Sequence, residues 1–140
     1  MNTYANSLGF ETAASPATSE QVRKEVLSFA IVGGGPTGIE FAAELHDLVH
    51  EDLVSMYPTL IPLVRISVYD VAPKILSMFD ASLANFATQK YQRDGIEIKT
   101  EHHILELRPG SPGSDPKDAA TENAVTYTLK TKEEGEVGIG

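Results

Sequence analysis

A run of glycines between an apolar segment and a helical pattern constrains the fold more than any other feature. Residues 33–38 read Gly-Gly-Gly-Pro-Thr-Gly. The preceding residues, 27–32, are nearly all apolar, which is typical of a strand buried on both faces. From Pro36 to Met56, apolar residues recur at helical spacing. The apolar positions of this helix are Phe41, Ala42, Leu45, Leu48, Val49, Leu53 and Met56. The sequence thus predicts a strand, a tight turn and an amphipathic helix in succession.

The alternation of strand and helix continues beyond this helix. Residues 64–70 are predicted to form the second strand, and Asp80 is a suitable N-cap for a helix that extends to about Arg93. Residues 96–100 alternate as a third strand. The apolar stripe of the second helix is predicted to comprise Leu83, Phe86, Ala87 and Tyr91. This βαβαβ order predicts an α/β fold, a Rossmann-type doubly wound parallel sheet.

The two ends of the chain follow different patterns. Short alternating runs at 104–107, 124–130 and 136–139 predict an antiparallel β-meander appended to the sheet. Residues 1–23 are mostly small and polar, so we expect a tail or connecting segment. Residues 24–140 then form one nucleotide-binding domain.

Composition excludes several classes of function. The formal net charge is −9, which disfavours nucleic acid as a partner because like charges repel. The chain has no cysteine, so disulfides, thiolate metal sites and iron–sulfur clusters are excluded. Any redox chemistry must therefore belong to a bound organic cofactor.

The glycine run fits the pattern G-x-G-x-x-G, and its place between strand and helix is the context that supports dinucleotide binding. Gly33 allows the tight turn, Gly35 lets the backbone approach a pyrophosphate, and Gly38 lets helix and strand pack closely. We expect the N–H groups of Thr37 and Ile39 to face the diphosphate, at the positive end of the helix dipole.

An acid at the end of the second strand is the other element of a dinucleotide site. Asp70 has this position, where its carboxylate can accept hydrogen bonds from an adenosine ribose. It follows Gly38 by 32 residues, against about 20 in the usual pattern. The long first helix overshoots the sheet and a loop over 57–63 brings the chain back, so the position on the strand matters more than the count.

Two groups of side chains raise the question of a metal site. His46 and His50 are four residues apart on the first helix, without a convincing third ligand. Asp115, Asp118 and Glu122 lack the spacing and the turn glycine of a calcium loop. We therefore expect no metal.

Residues 27–49 closely resemble the second dinucleotide motif of type II (alternative) NADH:quinone oxidoreductases, which are single-chain flavoproteins. Residues 65–80 and 91–100 continue the match. The resemblance extends over about residues 15–140 and is strongest to the fungal and plant mitochondrial branch.

The resemblance implies two nested Rossmann domains, one for FAD and one for NADH. It implies that the residues matching Gly33 to Glu40 bind NADH and that the acid matching Asp70 binds its ribose. It also places the residue matching Glu40 near the nicotinamide and the flavin. By itself, Glu40 is explained equally well by the helix dipole, since it lies in the first turn.

The resemblance thus implies the NADH-binding portion of an FAD-dependent NADH:quinone oxidoreductase of the respiratory chain, which passes hydride from NADH to flavin and on to quinone. The family's FAD motif and membrane-associating region have no counterpart in the sequence. We therefore expect a fragment, incomplete at its C-terminus, that has no catalytic residue of its own and is inactive alone. A non-catalytic nucleotide-binding module and a non-functional truncated product are the alternatives.

The resemblance also implies a location. The full-length parent is expected to be a peripheral protein of the mitochondrial inner membrane, with quinone and the membrane surface as partners. The N-terminus of this chain has neither a basic start nor an apolar block, so we expect the fragment itself to carry no targeting signal and to be soluble in the cytosol.

Overall fold

The computed structural model describes residues 9–76, 78–114 and 126–140. The acidic residues considered above for calcium, Asp115, Asp118 and Glu122, lie outside these ranges. The chain divides into two compact units. The described residues of 30–56 and 65–103 form one, here called the Rossmann unit, and the described residues of 1–29, 57–64 and 104–140 form the other, here called the meander unit.

The helices and strands are numbered in chain order. The α-helices are α1 (Phe10–Ala14), α2 (Glu20–Val26), α3 (Pro36–Asp47) and α4 (Ala81–Arg93). The strands are β1 (Ser28–Val32), β2 (Arg65–Tyr69), β3 (Glu97–Lys99), β4 (Ile104–Pro109), β5 (Tyr127–Thr131) and β6 (Gly135–Ile139).

The Rossmann unit contains a parallel sheet with strand order β1-β2-β3. Strand β2 pairs with β3 in parallel, with Ser67 opposite Glu97. Helix α3 connects β1 to β2 and contacts β2, while α4 connects β2 to β3 and contacts β3. The βαβαβ order that the sequence predicts is therefore confirmed.

Short-range chemistry sets the ends of the two helices in this unit. Helix α3 begins at Pro36, where the missing N–H costs no hydrogen bond. Helix α4 begins after Asp80, whose carboxylate accepts the Ser82 N–H at 2.7 Å, as the sequence predicts. It ends at Arg93 with Asp94 as the C-cap, and Gly95 follows with φ +83°, a conformation that favours glycine.

The first long helix changes its winding along its length. The sequence predicts one amphipathic helix from Pro36 to Met56, but α3 ends at Asp47. A π-helical turn, Leu48–Asp52, and a 3₁₀ turn, Leu53–Ser55, continue it. The buried residues of this stretch are Ile39, Ala42, Leu45, Val49 and Leu53. The wider turn keeps the later residues on the buried face, whereas the predicted core residues Phe41 and Met56 are exposed.

The buried face of α4 differs from the predicted stripe. Ala84 and Ala87 are the buried residues of α4, whereas Leu83 is 47% and Phe86 62% exposed. Helix α4 contacts β3, and its buried positions hold alanine, whose small side chain allows a helix to pack closely. The prediction was correct for Ala87 and wrong for Leu83 and Phe86.

The meander unit contains a second sheet, with antiparallel order β4-β5-β6. The three strands are confirmed, but they form a sheet of their own and are not appended to the parallel sheet. The part of residues 1–23 that the structure describes is also more ordered than a tail. It contains α1 and the start of α2, and the Phe10 ring is fully buried and lies 5.3 Å from that of Tyr57.

A buried carboxylate organises part of the meander unit. Glu25 of α2 is 4% exposed and accepts hydrogen bonds from the Gln21 side chain at 2.7 Å and the Ser111 hydroxyl at 2.6 Å. A side chain at Gly138 would collide with this carboxylate, which explains the glycine in β6. Within the described ranges, no helix has the length and apolar character needed to cross a bilayer.

Candidate nucleotide-binding site

The turn between β1 and α3 needs glycine at both of its ends. Gly33 has φ +117°, and its N–H donates to the Tyr69 carbonyl at 2.8 Å, which ties the end of β1 to β2. A Cβ on Gly38 would overlap the Gly33 carbonyl oxygen. The tight turn and the close approach of helix and strand therefore both depend on the absence of side chains.

Gly35 differs from these two because the protein itself does not require it to be glycine. It is the N-cap of α3 with φ −80° and ψ −177°, a conformation open to any residue. A Cβ built there meets no atom within 4 Å. A side chain at Gly35 would instead occupy the space in front of the helix N-terminus.

Backbone N–H groups point from this N-terminus toward the open space. Among the described residues, the N–H groups of Gly35, Thr37 and Gly38 have no acceptor. Ile39 was expected to offer its N–H to a diphosphate, but the structure contradicts this. Its N–H donates to the Gly35 carbonyl at 3.0 Å as the first bond of the helix, and its side chain is buried. Of the two expected donors, Thr37 therefore has a free N–H and Ile39 does not, while Gly35 and Gly38 are free donors that the prediction did not include.

A pocket of about 450 Å³ opens on the same loop. It is lined by Ile31 and Val32 at the end of β1, by the exposed residues of the glycine motif, and by Phe41 of α3. Its size suits part of a nucleotide. It offers apolar walls beside a row of backbone donors, which is an arrangement for a molecule with both a ring and an anionic group.

The structure brings Asp70 directly to the glycine turn. One carboxylate oxygen, Oδ2, accepts the Gly34 N–H at 2.7 Å, and the other, Oδ1, accepts the Ala72 N–H at 3.0 Å. The residue is half-buried. Each oxygen of a carboxylate has two lone-pair directions, so each can still accept a further bond from a ribose hydroxyl.

Gly34 is a residue that the sequence pattern leaves unassigned. It is buried, and a Cβ there would lie 2.7 Å from Asp70 Oδ2 and 3.0 Å from Ile75 Cγ2. The pattern G-x-G-x-x-G treats this position as free, yet only glycine fits here. The extra glycine between Gly33 and Gly35 was the available signal, because such a glycine often marks a close approach between backbone and side chain.

Tyr91 joins α4 to the start of α3. Its hydroxyl donates to the Ile39 carbonyl at 3.3 Å. Burial is the main influence that raises the pKa of Tyr91 above the usual tyrosine value, and the nearby Lys90 opposes it. Raising the pKa keeps the hydroxyl protonated, which is the state that can donate this bond.

The remaining candidates lie apart from this cluster. Glu40 is exposed in the first turn of α3, and the structure gives its side chain no hydrogen bond among the described residues. His46 and His50 stack with ring centroids 4.2 Å apart. No group of three or more potential metal ligands occurs within the ranges that the structure describes.

Comparison with known proteins gives the same family as the sequence motifs. A family model described as pyridine nucleotide-disulphide oxidoreductase matches residues 4–137. The chain is 53% identical over 98 residues to an external alternative NAD(P)H-ubiquinone oxidoreductase B3, mitochondrial, from Arabidopsis thaliana. It is 54% identical over 111 residues to a B1 protein of the same description from Solanum tuberosum.

These alignments cover 70% and 74% of this chain but only 17% and 19% of the two relatives. The chain thus spans less than a fifth of the length of these two relatives.

A solved structure shows the same fold. The chain is similar to NDH2 from Plasmodium falciparum, determined in complex with NADH, with a TM-score of 0.70 and 20% identity. The match covers 93% of this chain and 24% of that one. With the family model covering nearly the whole sequence, the resemblance predicted from the motifs is confirmed, and the chain belongs to the pyridine nucleotide-disulphide oxidoreductase family.

Proposed function

We propose that this chain binds NADH through the loop between β1 and α3 together with Asp70. In this proposal the N–H groups of Gly35, Thr37 and Gly38 bind the pyrophosphate, and the Asp70 carboxylate binds the adenosine ribose. Bound NADH would supply the hydride. Glu40 would lie on the nicotinamide side, as the family resemblance implies.

One observation carries the proposal: a single loop joins the open end of α3 to the carboxylate. Gly34 is bonded to Asp70 at 2.7 Å, and the next residue, Gly35, has open space in front of it. The N–H groups proposed to bind the diphosphate therefore begin at Gly35, directly after the residue that is hydrogen-bonded to the proposed ribose acceptor, Asp70. A glycine-rich turn with a purely structural role would need no open glycine at this position.

The test is Gly35→Ala, measured by NADH fluorescence titration and thermal unfolding. The methyl group touches no protein atom, so the expected cost in stability is only that of alanine at an N-cap, about 0.5–1 kcal/mol. It fills the space of the pyrophosphate, so we expect NADH affinity to fall on the order of tenfold or more.

Gly95→Ala is the matched control. Gly95 also has open space around its Cβ position but has φ +83°, so alanine should lower stability by about 1 kcal/mol and leave NADH affinity unchanged. Wild-type protein that does not bind NADH, or Gly35→Ala protein that binds it normally, would contradict the proposal.

For the whole protein we propose an FAD-dependent NADH:quinone oxidoreductase. The names of the relatives, mitochondrial NAD(P)H-ubiquinone oxidoreductases, support this activity and a mitochondrial location. We propose that the parent is peripheral to the inner membrane, with quinone as its acceptor, and that it needs neither a metal nor a nucleic acid.

The described chain, supplied with NADH and a soluble quinone, is expected to bind the nucleotide without oxidising it. Hydride transfer requires a flavin held against the nicotinamide. Quinone-dependent oxidation by a purified chain that shows flavin absorbance would contradict this expectation.

A further inference from the structure

The loop that follows β2 holds the Gly34 residue from both sides. The Gly34 N–H donates to Asp70 Oδ2 at 2.7 Å, and the Gly34 carbonyl accepts the Leu76 N–H at 2.7 Å. Both backbone polar groups of this one residue are thus engaged by residues 70–76. The Ile75 side chain, which is fully buried, closes the third side.

Leu76 makes its bond from an unfavourable conformation. Its φ is +53°, in the left-handed region that residues with a Cβ adopt rarely. Such a conformation persists when the surroundings determine it and is found preferentially where function depends on the resulting geometry. In this protein, the left-handed conformation of Leu76 lets its N–H donate to the Gly34 carbonyl.

The two hydrogen bonds at Gly34 fix the orientation of the glycine turn. With the N–H and carbonyl of Gly34 both held, the peptides on either side cannot rotate freely. Gly34 also directs its N–H to Asp70 and not to the open space, so the donors that remain for a ligand are those from Gly35 onward.

We propose that Leu76 is a positioning residue for nucleotide binding, acting through its backbone N–H on Gly34, with Ile75 packed beside it. This inference rests on the proposed function. The left-handed conformation of Leu76 keeps the glycine turn in the form that presents its N–H groups to a diphosphate. A chain in which Leu76 relaxes to the right-handed region loses that form.

The test compares Leu76→Val with Leu76→Gly in the purified chain. Valine keeps an apolar side chain but tolerates positive φ worse than leucine, so we expect NADH binding to weaken on the order of tenfold. Glycine removes the side chain but adopts positive φ readily, so we expect binding near the wild-type level. If side-chain packing were what mattered, the order of the two variants would be reversed.

Leu105→Val is the matched control, because this exposed leucine lies in strand β4, where valine is favoured. Its NADH affinity should equal that of wild type. Equal affinity of Leu76→Val and wild type, or weaker binding by Leu76→Gly than by Leu76→Val, would overturn the inference. Absence of NADH binding by the wild type would instead overturn the proposed function.

Amide hydrogen exchange in the wild type provides a readout that does not depend on any variant folding. The Gly34 amide should exchange much more slowly than the amides of Gly35 and Thr37, since it alone of the three has an acceptor. NADH should then slow the exchange of the latter two. The Leu76 amide, which donates to the Gly34 carbonyl, should be protected as well, and exchange of the Leu76 or Gly34 amide as fast as that of Gly35 would overturn the inference.

Discussion

The Asp70 carboxylate and the Gly34 N–H are joined by a hydrogen bond of 2.7 Å, although 36 residues separate them in the sequence. The carboxylate that is expected to select the nucleotide is therefore also part of the structure that shapes the glycine turn. A change at Asp70 should act on both, and this distinguishes it from a residue that only contacts a ligand.

We predict that the affinity for NADH is higher than that for NADPH. Asp70→Ser should reduce this difference in affinity, chiefly by weakening the binding of NADH. The 2′-phosphate of NADPH would place a like charge beside the carboxylate. A charge-assisted hydrogen bond contributes about 1.5–3 kcal/mol, on the order of tenfold to a hundredfold in affinity. Both nucleotides are titrated against wild type and variant.

Asp80→Ser is the control for this variant. Asp80 also accepts a backbone N–H through its carboxylate, and serine is a good N-cap, so both affinities should stay unchanged. Equal wild-type affinities for NADH and NADPH would show that Asp70 does not contact the ribose.

Gly38→Ala is expected to damage the fold before it affects the ligand. Its Cβ would overlap a backbone oxygen, and backbone cannot yield as a flexible side chain does. Overpacking of this kind costs about 1–3 kcal/mol or more, which lowers the melting temperature by roughly 3–10 °C. A variant as stable as the wild type would show that helix and strand are farther apart than in the structure.

The register of α4 can be tested by stability alone. Phe86→Gln alters an exposed ring and should change the free energy of unfolding by less than about 0.5 kcal/mol. Ala84→Leu adds three carbons at a fully buried position and should cost about 1–3 kcal/mol. Urea unfolding measures the free energy of unfolding of both variants. A larger loss for Phe86→Gln than for Ala84→Leu would support the buried face that the sequence predicts.

The raised pKa of Tyr91 predicts a loss of stability in alkali. Because the folded-state pKa lies above the unfolded one, the contribution of this tyrosine is complete below about pH 10 and declines as the pH rises further. Tyr91→Phe cannot ionise, so the stability difference between wild type and variant should shrink at high pH. Urea unfolding of both proteins at about pH 8 and pH 11 checks this, and parallel pH profiles would refute it.

The elements that sequence reasoning predicted correctly are those with a local cause. The glycine turn, the Asp80 cap and the three parallel strands each follow from residues close together in the chain. Sequence reasoning places Asp70 at the end of the second strand, but it does not predict the hydrogen bond from the Gly34 N–H to the Asp70 carboxylate.

The errors arise where tertiary packing decides. Periodicity predicts both Phe86 and Ala87 for the core, but only Ala87 is buried, and periodicity does not report the size of side chain that tertiary packing accepts. Sequence reasoning predicts a free N–H at Ile39, whereas in the structure this N–H donates the first hydrogen bond of α3, to the Gly35 carbonyl. The role of Leu76 depends on a backbone angle that no pattern of hydrophobicity reports.

The change of winding after Asp47 has a consequence for how such proteins vary. A helix that passes through a π turn and a 3₁₀ turn before an irregular connection can gain or lose a residue there without moving its own beginning. The number of residues between the glycine turn and the second strand can therefore change during evolution. A sequence pattern that requires a fixed spacing between the glycine motif and the acid would not match this chain, although the Asp70 carboxylate and the glycine turn are joined by a hydrogen bond.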